Sequence, residues 1–260
     1  MNSDQNRNLL WVIILLLITL ILGLIFMIVF LLREPPDEAG STTGTQAALT
    51  QTASSGGSAG AVSPAPTPIP EDPALSLGLP AWTDTFSSGA NWAEFDNQCF
   101  TSEIRDGRFW MEAKGNVGIF CWELTWPQIN RFYLETLARP EEACADGGAY
   151  GLFLRGPDTS RGYLFGLTCD DQYGMYTWAG DNGALVIQPQ PSPDILTGEE
   201  NRIGILADGN YFSIYVNGEF QTQVYDTTFP EGVRIGFFIR TPEEEMTRAS
   251  FDNLTYWDLP

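Results

Sequence analysis

The side chains in this chain that could act on another molecule are few in type. It has no histidine and one lysine, Lys114, which excludes a Ser-His-Asp hydrolase. Aromatic rings are plentiful, and sugars stack their C–H faces on such rings while amides and carboxylates take the hydroxyls. Trp110, Trp126, Tyr173, Tyr176 and Trp178 are the candidate rings. Tyr176 and Trp178 stand two residues apart, so on a strand they share one face, close to the turn Asp181-Asn182-Gly183; they are the best pair. For each ring alone, packing in a core is the competing use. Glu141-Glu142, Asp170-Asp171, Glu199-Glu200 and Glu243-Glu244-Glu245 are adjacent carboxylate runs, mostly at turns.

The four cysteines, Cys99, Cys121, Cys144 and Cys169, include no C-x-x-C pair, so a zinc site would need unusual all-cysteine spacing. An even count suits two disulfides in an oxidising compartment; four reduced thiols would instead fit a cytoplasmic domain. Of the three pairings, Cys99–Cys121 with Cys144–Cys169 is expected. Asp106-Gly107 folds a hairpin after Cys99, and the chain returns through Asn116-Val117-Gly118 to Cys121. The strands after Cys144 likewise bring Cys169 back toward it.

The elements that must position these groups read as strands. In "YFSIYVNGEF", Phe212, Ile214 and Val216 alternate with Ser213 and Tyr215, the period of a strand with one buried face. Asn217-Gly218 then supplies two residues that tolerate positive φ, as a type I′ hairpin requires. Strands are expected at 100–105, 108–113, 119–123, 132–138, 149–156, 162–168, 175–179, 201–207, 211–216, 220–225, 233–240 and 249–257. Turn pairs such as Asp106-Gly107, Gly147-Gly148 and Asp208-Gly209 separate them. No window carries a helical period. Residues 81–260 are enough for one sizeable core, and short strands at this spacing imply an all-β sandwich or barrel.

The order of the pieces "DTFSSGANWAEFDNQ", "IRDGRFWMEA", "FYLETLARP", "GGAYGLFLRGPDTSRGYLFGLTCDDQYGMYTW", "ENRIGILADGNYFSIYVNGEF", "DTTFPEGVRIGFFI" and "ASFDNLTYW" resembles the concanavalin A-like lectin/glucanase superfamily. Within it the likeness is to laminin-G-like and 3-keto-disaccharide-hydrolase-type jelly rolls, over nearly all of residues 82–258. The resemblance implies a two-sheet antiparallel jelly-roll sandwich and says little about activity, since one fold hosts many functions. Glucanases of the superfamily set two carboxylates on one strand face in a Glu-x-Asp-x-x-Glu-like run, an acid and a nucleophile for one sugar. None of the acidic runs here makes that motif. Calcium is the superfamily's other theme, and hard oxygen ligands suit it. No cofactor is required on this reading, with Ca2+ the one candidate at Asp170, Asp171, Asp181 and Asn182; ordinary turn residues are the competing explanation.

Ahead of the domain, residues 9–32 carry no charge and one polar side chain, Thr19. As a helix they would cover about 36 Å, enough for a bilayer core of about 30 Å. The run is too long for a cleavable signal peptide and lacks a small-residue cleavage site, so a transmembrane signal-anchor helix is expected, preceded by a short cytoplasmic segment, 1–8. Residues 33–80 are rich in Ser, Thr, Gly, Ala and Pro. They read as a disordered linker spanning about 40 Å. Arg7 and Arg33 flank the helix almost symmetrically, so the Lys/Arg bias does not fix orientation; the linker favours the C-terminal domain outside a cell membrane.

The formal charge of −20, from 13 Lys+Arg against 33 Asp+Glu, leaves no basic patch for nucleic acid. Three readings follow. The first is a single-pass, membrane-anchored, non-catalytic module outside the cytoplasm that binds glycan or another cell-surface ligand, for instance a surface protein. The second is a structural or protein-interaction domain of a sensor or assembly. The third is a glycoside-active hydrolase.

Overall fold

The computed structural model describes residues 71–114, 118, 120–180, 182–242 and 246–259. The expected segments 1–8, 9–32 and most of 33–80 lie outside the described residues, as do Asp181 and Glu243-Glu244-Glu245. Among the described residues no helix is long and apolar enough to cross a membrane.

The chain opens with a short helix, α1 (Pro73–Ser76). Fifteen strands follow among the described residues: β1 (Trp82–Asp84), β2 (Phe95–Asp96), β3 (Phe100–Arg105), β4 (Arg108–Ala113), β5 (Phe120–Thr125), β6 (Phe132–Cys144), β7 (Ala149–Gly156), β8 (Arg161–Thr168), β9 (Gln172–Ala179), β10 (Asn182–Pro191), β11 (Asn201–Asp208), β12 (Tyr211–Val216), β13 (Glu219–Tyr225), β14 (Arg234–Arg240) and β15 (Thr247–Asp258). They form two antiparallel sheets. One runs β13-β12-β11-β6-β15-β4-β3-β2, with β1 also paired to β15; the other runs β10-β9-β8-β7-β14-β5.

The sandwich follows from alternation. On β7, Tyr150, Leu152 and Leu154 join the main core, while Ala149 and Phe153 join a separate cluster on the opposite face. Phe86, Trp92, Phe109, Phe237 and Phe251 stack at the centre, with Phe237 and Phe251 centroids 4.1 Å apart. Each such buried ring contributes roughly 1.5–3 kcal/mol.

The hairpin expected at Asn217-Gly218 is present: φ is 53° and 89° at the two residues, and Val216 pairs with Glu219 across the turn. Both cysteine pairs form, with Cα–Cα distances of 6.0 Å for Cys99–Cys121 and 5.5 Å for Cys144–Cys169. The reason differs from neighbouring-strand geometry. Cys99 precedes β3 and Cys144 ends β6 in one sheet; Cys121 lies on β5 and Cys169 follows β8 in the other. The bridges therefore tie sheet to sheet.

Several features depart from the sequence reading, among them the short strands β1 and β2, which were not expected. Strand β10 was not expected there, because Pro189 and Pro191 and a run of exposed residues look like loop. As an edge strand with irregular register it tolerates both prolines. Residues 72–78, expected in the linker, instead lie on the outer face of the larger sheet. Asp72 caps α1 and pairs with Arg202, which also bonds Glu135. Ala74 and Leu77 pack on Tyr133, Tyr215 and Trp257, and the Trp257 indole donates to the Gly78 carbonyl.

Candidate functional site

With part of one outer face covered by its own N-terminal segment, the molecule presents its aromatic side chains most densely on the outer face of the six-stranded sheet. On β9 the alternation places Tyr173, Met175 and Thr177 inward and Gly174, Tyr176 and Trp178 outward. On β5 it places Phe120, Trp122 and Leu124 outward. Four strand spacings separate β5 from β9, about 19 Å in a flat sheet. Yet Phe120 lies 5.0 Å from Tyr176 and 5.7 Å from Trp178, and Trp122 lies 6.2 Å from Trp178, centroid to centroid. The sheet must curl around this face for the rings to meet.

The residues between explain how it curls. Gly151, Gly166 and Gly174 are consecutive partners across β7, β8 and β9. A Cβ on Gly151 would come within 2.3 Å of the Phe165 carbonyl oxygen, and one on Gly166 within 2.0 Å of the Tyr150 oxygen. Only glycine permits that approach. Phe153, Leu164 and Phe238 fill the furrow and are fully buried, while Trp122, Tyr176 and Trp178 remain half-buried at its mouth. The Trp122 indole donates to the Thr159 carbonyl at 2.9 Å. The Arg240 guanidinium lies 5.4 Å over the Phe120 ring. The mouth is thus a rim of fixed rings with one cation beside it, suited to stacking an apolar ligand face.

The remaining candidate rings do not join this site. Tyr173 is a core residue, 5% exposed, because its strand parity is opposite to that of Tyr176. Trp126 is 61% exposed at the end of β5, packed edge-on against Trp82 and bonded to Asn91. Trp110 lies on the outer face of the larger sheet, under the Arg105 guanidinium. Trp122 was missed as a site residue although its strand was expected; its parity with Phe120 was the available signal.

The calcium candidates are scattered in function. Asp170 accepts from the Gln172 amide nitrogen and Asp171 from the Thr197 hydroxyl, at 2.8 and 2.7 Å. Asn182 opens β10 opposite Ala179. Among the described residues no three His, Cys, Asp or Glu side chains converge as a metal site.

One carboxyl is unusual. Glu123, on β5 between two outward residues, points inward and is 4% exposed. It accepts from the Ser102 hydroxyl at 2.5 Å and the Ala93 amide at 3.1 Å. Burial raises its pKa to about 7, the two hydrogen bonds opposing the shift. Perturbed carboxyls often mark active sites, but strand parity directs this one away from the rings at the furrow mouth.

No protein-family model and no curated protein matches the chain. Solved structures do. A carbohydrate-binding module, CBM66 from Bacillus subtilis, is 19% identical with a TM-score of 0.50 over 62% of this chain and 92% of the module. The fold is a two-sheet antiparallel jelly-roll sandwich. A structure described as a native glycosidic hydrolase gives a TM-score of 0.53 at 11% identity, covering 69% of this chain and 96% of that one. An endo-acting O-glycanase of human gut microbiota that initiates mucin breakdown gives 0.50 at 11% identity, over 70% of this chain and 100% of that one. At these identities the likeness shows fold and not activity.

Proposed function

We propose that the domain binds carbohydrate without cleaving it, at the mouth of the curled six-stranded sheet. The supporting observation is the set of Trp122, Tyr176 and Trp178, half-buried on a bed of fully buried Phe153, Leu164 and Phe238. A packed bed fixes ring orientation before a ligand arrives, which lowers the ordering cost of binding. The fold neighbours include a carbohydrate-binding module, which favours the same reading. Non-catalytic action rests on the inward direction of Glu123 and on the missing paired-carboxylate run. The hydrophobic run 9–32 and the linker after it support a single-pass anchor with the domain outside the cytoplasm. Two intersheet disulfides agree with an oxidising compartment.

A second reading, a protein-interaction domain, is favoured by one feature. The furrow is filled by the protein's own rings, and Leu185 on the neighbouring edge strand is 49% exposed, so the rim also suits an apolar protein surface. A glycan array probed with the full chain separates the two. Binding lost in Trp122→Ala and Trp178→Ala supports the carbohydrate reading; absence of any glycan binding at about millimolar affinity supports the second.

A further inference from the structure

Three rings form a corner where β1 of one sheet meets the end of β5 of the other. Trp126, 61% exposed, is the most exposed aromatic side chain among the described residues. It meets Trp82 edge-on, with centroids 6.0 Å apart and planes at 70°. Trp82 in turn meets Tyr256, its partner across β1 and β15, at 6.1 Å and 35°. Trp82 and Tyr256 pack against the main core, so the corner has a fixed wall.

Trp126 is exposed and yet held. Its indole N–H donates to Asn91 Oδ1 at 2.7 Å, and Asn91 Nδ2 donates to Asp84 Oδ2 at 2.9 Å. A donor on one side and a carboxylate on the other leave the Asn91 amide one orientation. Asp84 is 7% exposed and is itself fixed by the Phe86 amide and the Trp92 indole. A chain of hydrogen bonds thus runs from a buried carboxylate to an exposed ring. Each bond polarises the next, and the negative charge at the far end raises electron density on the Trp126 ring. The face of an electron-rich indole attracts cations.

The charges around the corner favour the same class of ligand. Elsewhere guanidinium groups lie over rings, Arg105 over Trp110, Arg155 over Phe212 and Arg240 over Phe120. Among the described residues no such group lies over Trp126, Trp82 or Tyr256. Burial and then the Asp258 carboxylate push the Tyr256 hydroxyl pKa up, so a negative group stands beside the corner. The chain carries −20 overall, a field that draws cations to its surface. The oxygens behind the rings are engaged, Asn91 Oδ1 by Trp126 and both Asp84 oxygens by N–H groups. A cation with N–H donors gains no acceptor from them. A quaternary ammonium has no donors to satisfy and suits ring faces alone.

We propose that the corner of Trp82, Trp126 and Tyr256 is a second binding site, and that it takes a trimethylammonium group of the choline class on its ring faces. With no guanidinium or ammonium over these rings to hold a phosphate, the ligand is choline itself in preference to phosphocholine. The proposal does not depend on the furrow reading, because the two sites use different residues and different ligand charge.

Indole N–H NMR of the 15N-labelled full chain, titrated with choline chloride at constant ionic strength, tests this. The Trp126 and Trp82 signals are expected to shift and saturate with a Kd of about 1–10 mM, while those of Trp122 and Trp178 stay in place. The neutral tert-butyl isostere of choline, dimethylbutanol, has the same shape without the charge and should bind at least about fivefold more weakly. Phosphocholine should bind no more tightly than choline. Trp126→Leu keeps an apolar side chain at an exposed position and should abolish the saturable Trp82 shift. If that variant fails to fold, the isostere comparison in the parent still decides. No saturation up to about 50 mM choline, equal affinity for the isostere, or an unchanged Trp82 shift in Trp126→Leu overturns the proposal. Tighter binding of phosphocholine, or shifts confined to Trp122 and Trp178, overturns it as well.

Discussion

Replacing Glu123 by Gln should make the domain more stable at alkaline pH. The carboxyl is buried, and its pKa of about 7 in the fold compares with an ordinary value of 4.5. The folded state therefore holds a proton that the unfolded state has released between those two values. Its stability contribution is fully present below about pH 4.5 and is lost as pH rises through about 7. A difference of 7 − 4.5 = 2.5 units corresponds to about 3 kcal/mol at most, and about 2 kcal/mol after allowance for solvent screening. Glutamine matches the volume and stays neutral. Its oxygen still accepts from the Ala93 amide, while its nitrogen donates to the Ser102 oxygen. The Ser102 hydroxyl is then free to donate to the Ala93 carbonyl, 3.4 Å away. Urea unfolding with disulfides intact should show parent and variant within about 1 kcal/mol near pH 5, and the variant ahead by about 2 kcal/mol near pH 8. An offset independent of pH, or a variant less stable at both pH values, would refute the assignment of Glu123 as a buried, proton-holding group.

Other substitutions separate the parts of the account. Trp178→Ala removes a half-buried ring that touches Phe120 and Trp122; it should cost about 1–2 kcal/mol in chemical denaturation, less than the roughly 3–5 of a buried Trp truncation, and at least tenfold in glycan affinity. Replacing Cys144 and Cys169 by Ala opens a loop with a sequence separation of 25 and should lower stability by about 3 kcal/mol. Mass spectrometry of the purified parent should find no free thiol. Arg202→Ala leaves Asp72 and Glu135 without their shared cation; hydrogen exchange at residues 74–77 should accelerate while amides of the central strands stay protected.

How much of this was legible depends on what each residue's signal was about. The β12–β13 hairpin was readable because alternation and Asn-Gly are both local. The cysteine pairs were readable as pairs, yet the reason was not, since which sheet a strand joins is a long-range property. Tyr176 and Trp178 were placed on one face by parity, and the same parity should have put Tyr173 in the core. Trp122 carried only its parity with Phe120; what makes it a rim residue is the curling that brings β5 to β9, and the close approach of Gly151 and Gly166 that goes with it is a long-range property. The docked segment 72–78 did carry a local sign, Asp72 before Pro73, an N-cap followed by a helix-starting proline. It was hidden by the composition of the linker around it. The burial of Glu123 had no sign at all, because an alternating strand does not announce which of its faces is inside.

The most direct measurement is an indole N–H NMR titration of the 15N-labelled protein with a neutral glycan selected on the array. Signals of Trp122 and Trp178 should move together and saturate, while those of the buried Trp92 and Trp257 stay in place. Saturable shifts confined to other indoles, or no shift at all at about millimolar glycan, would contradict binding at the mouth of the six-stranded sheet.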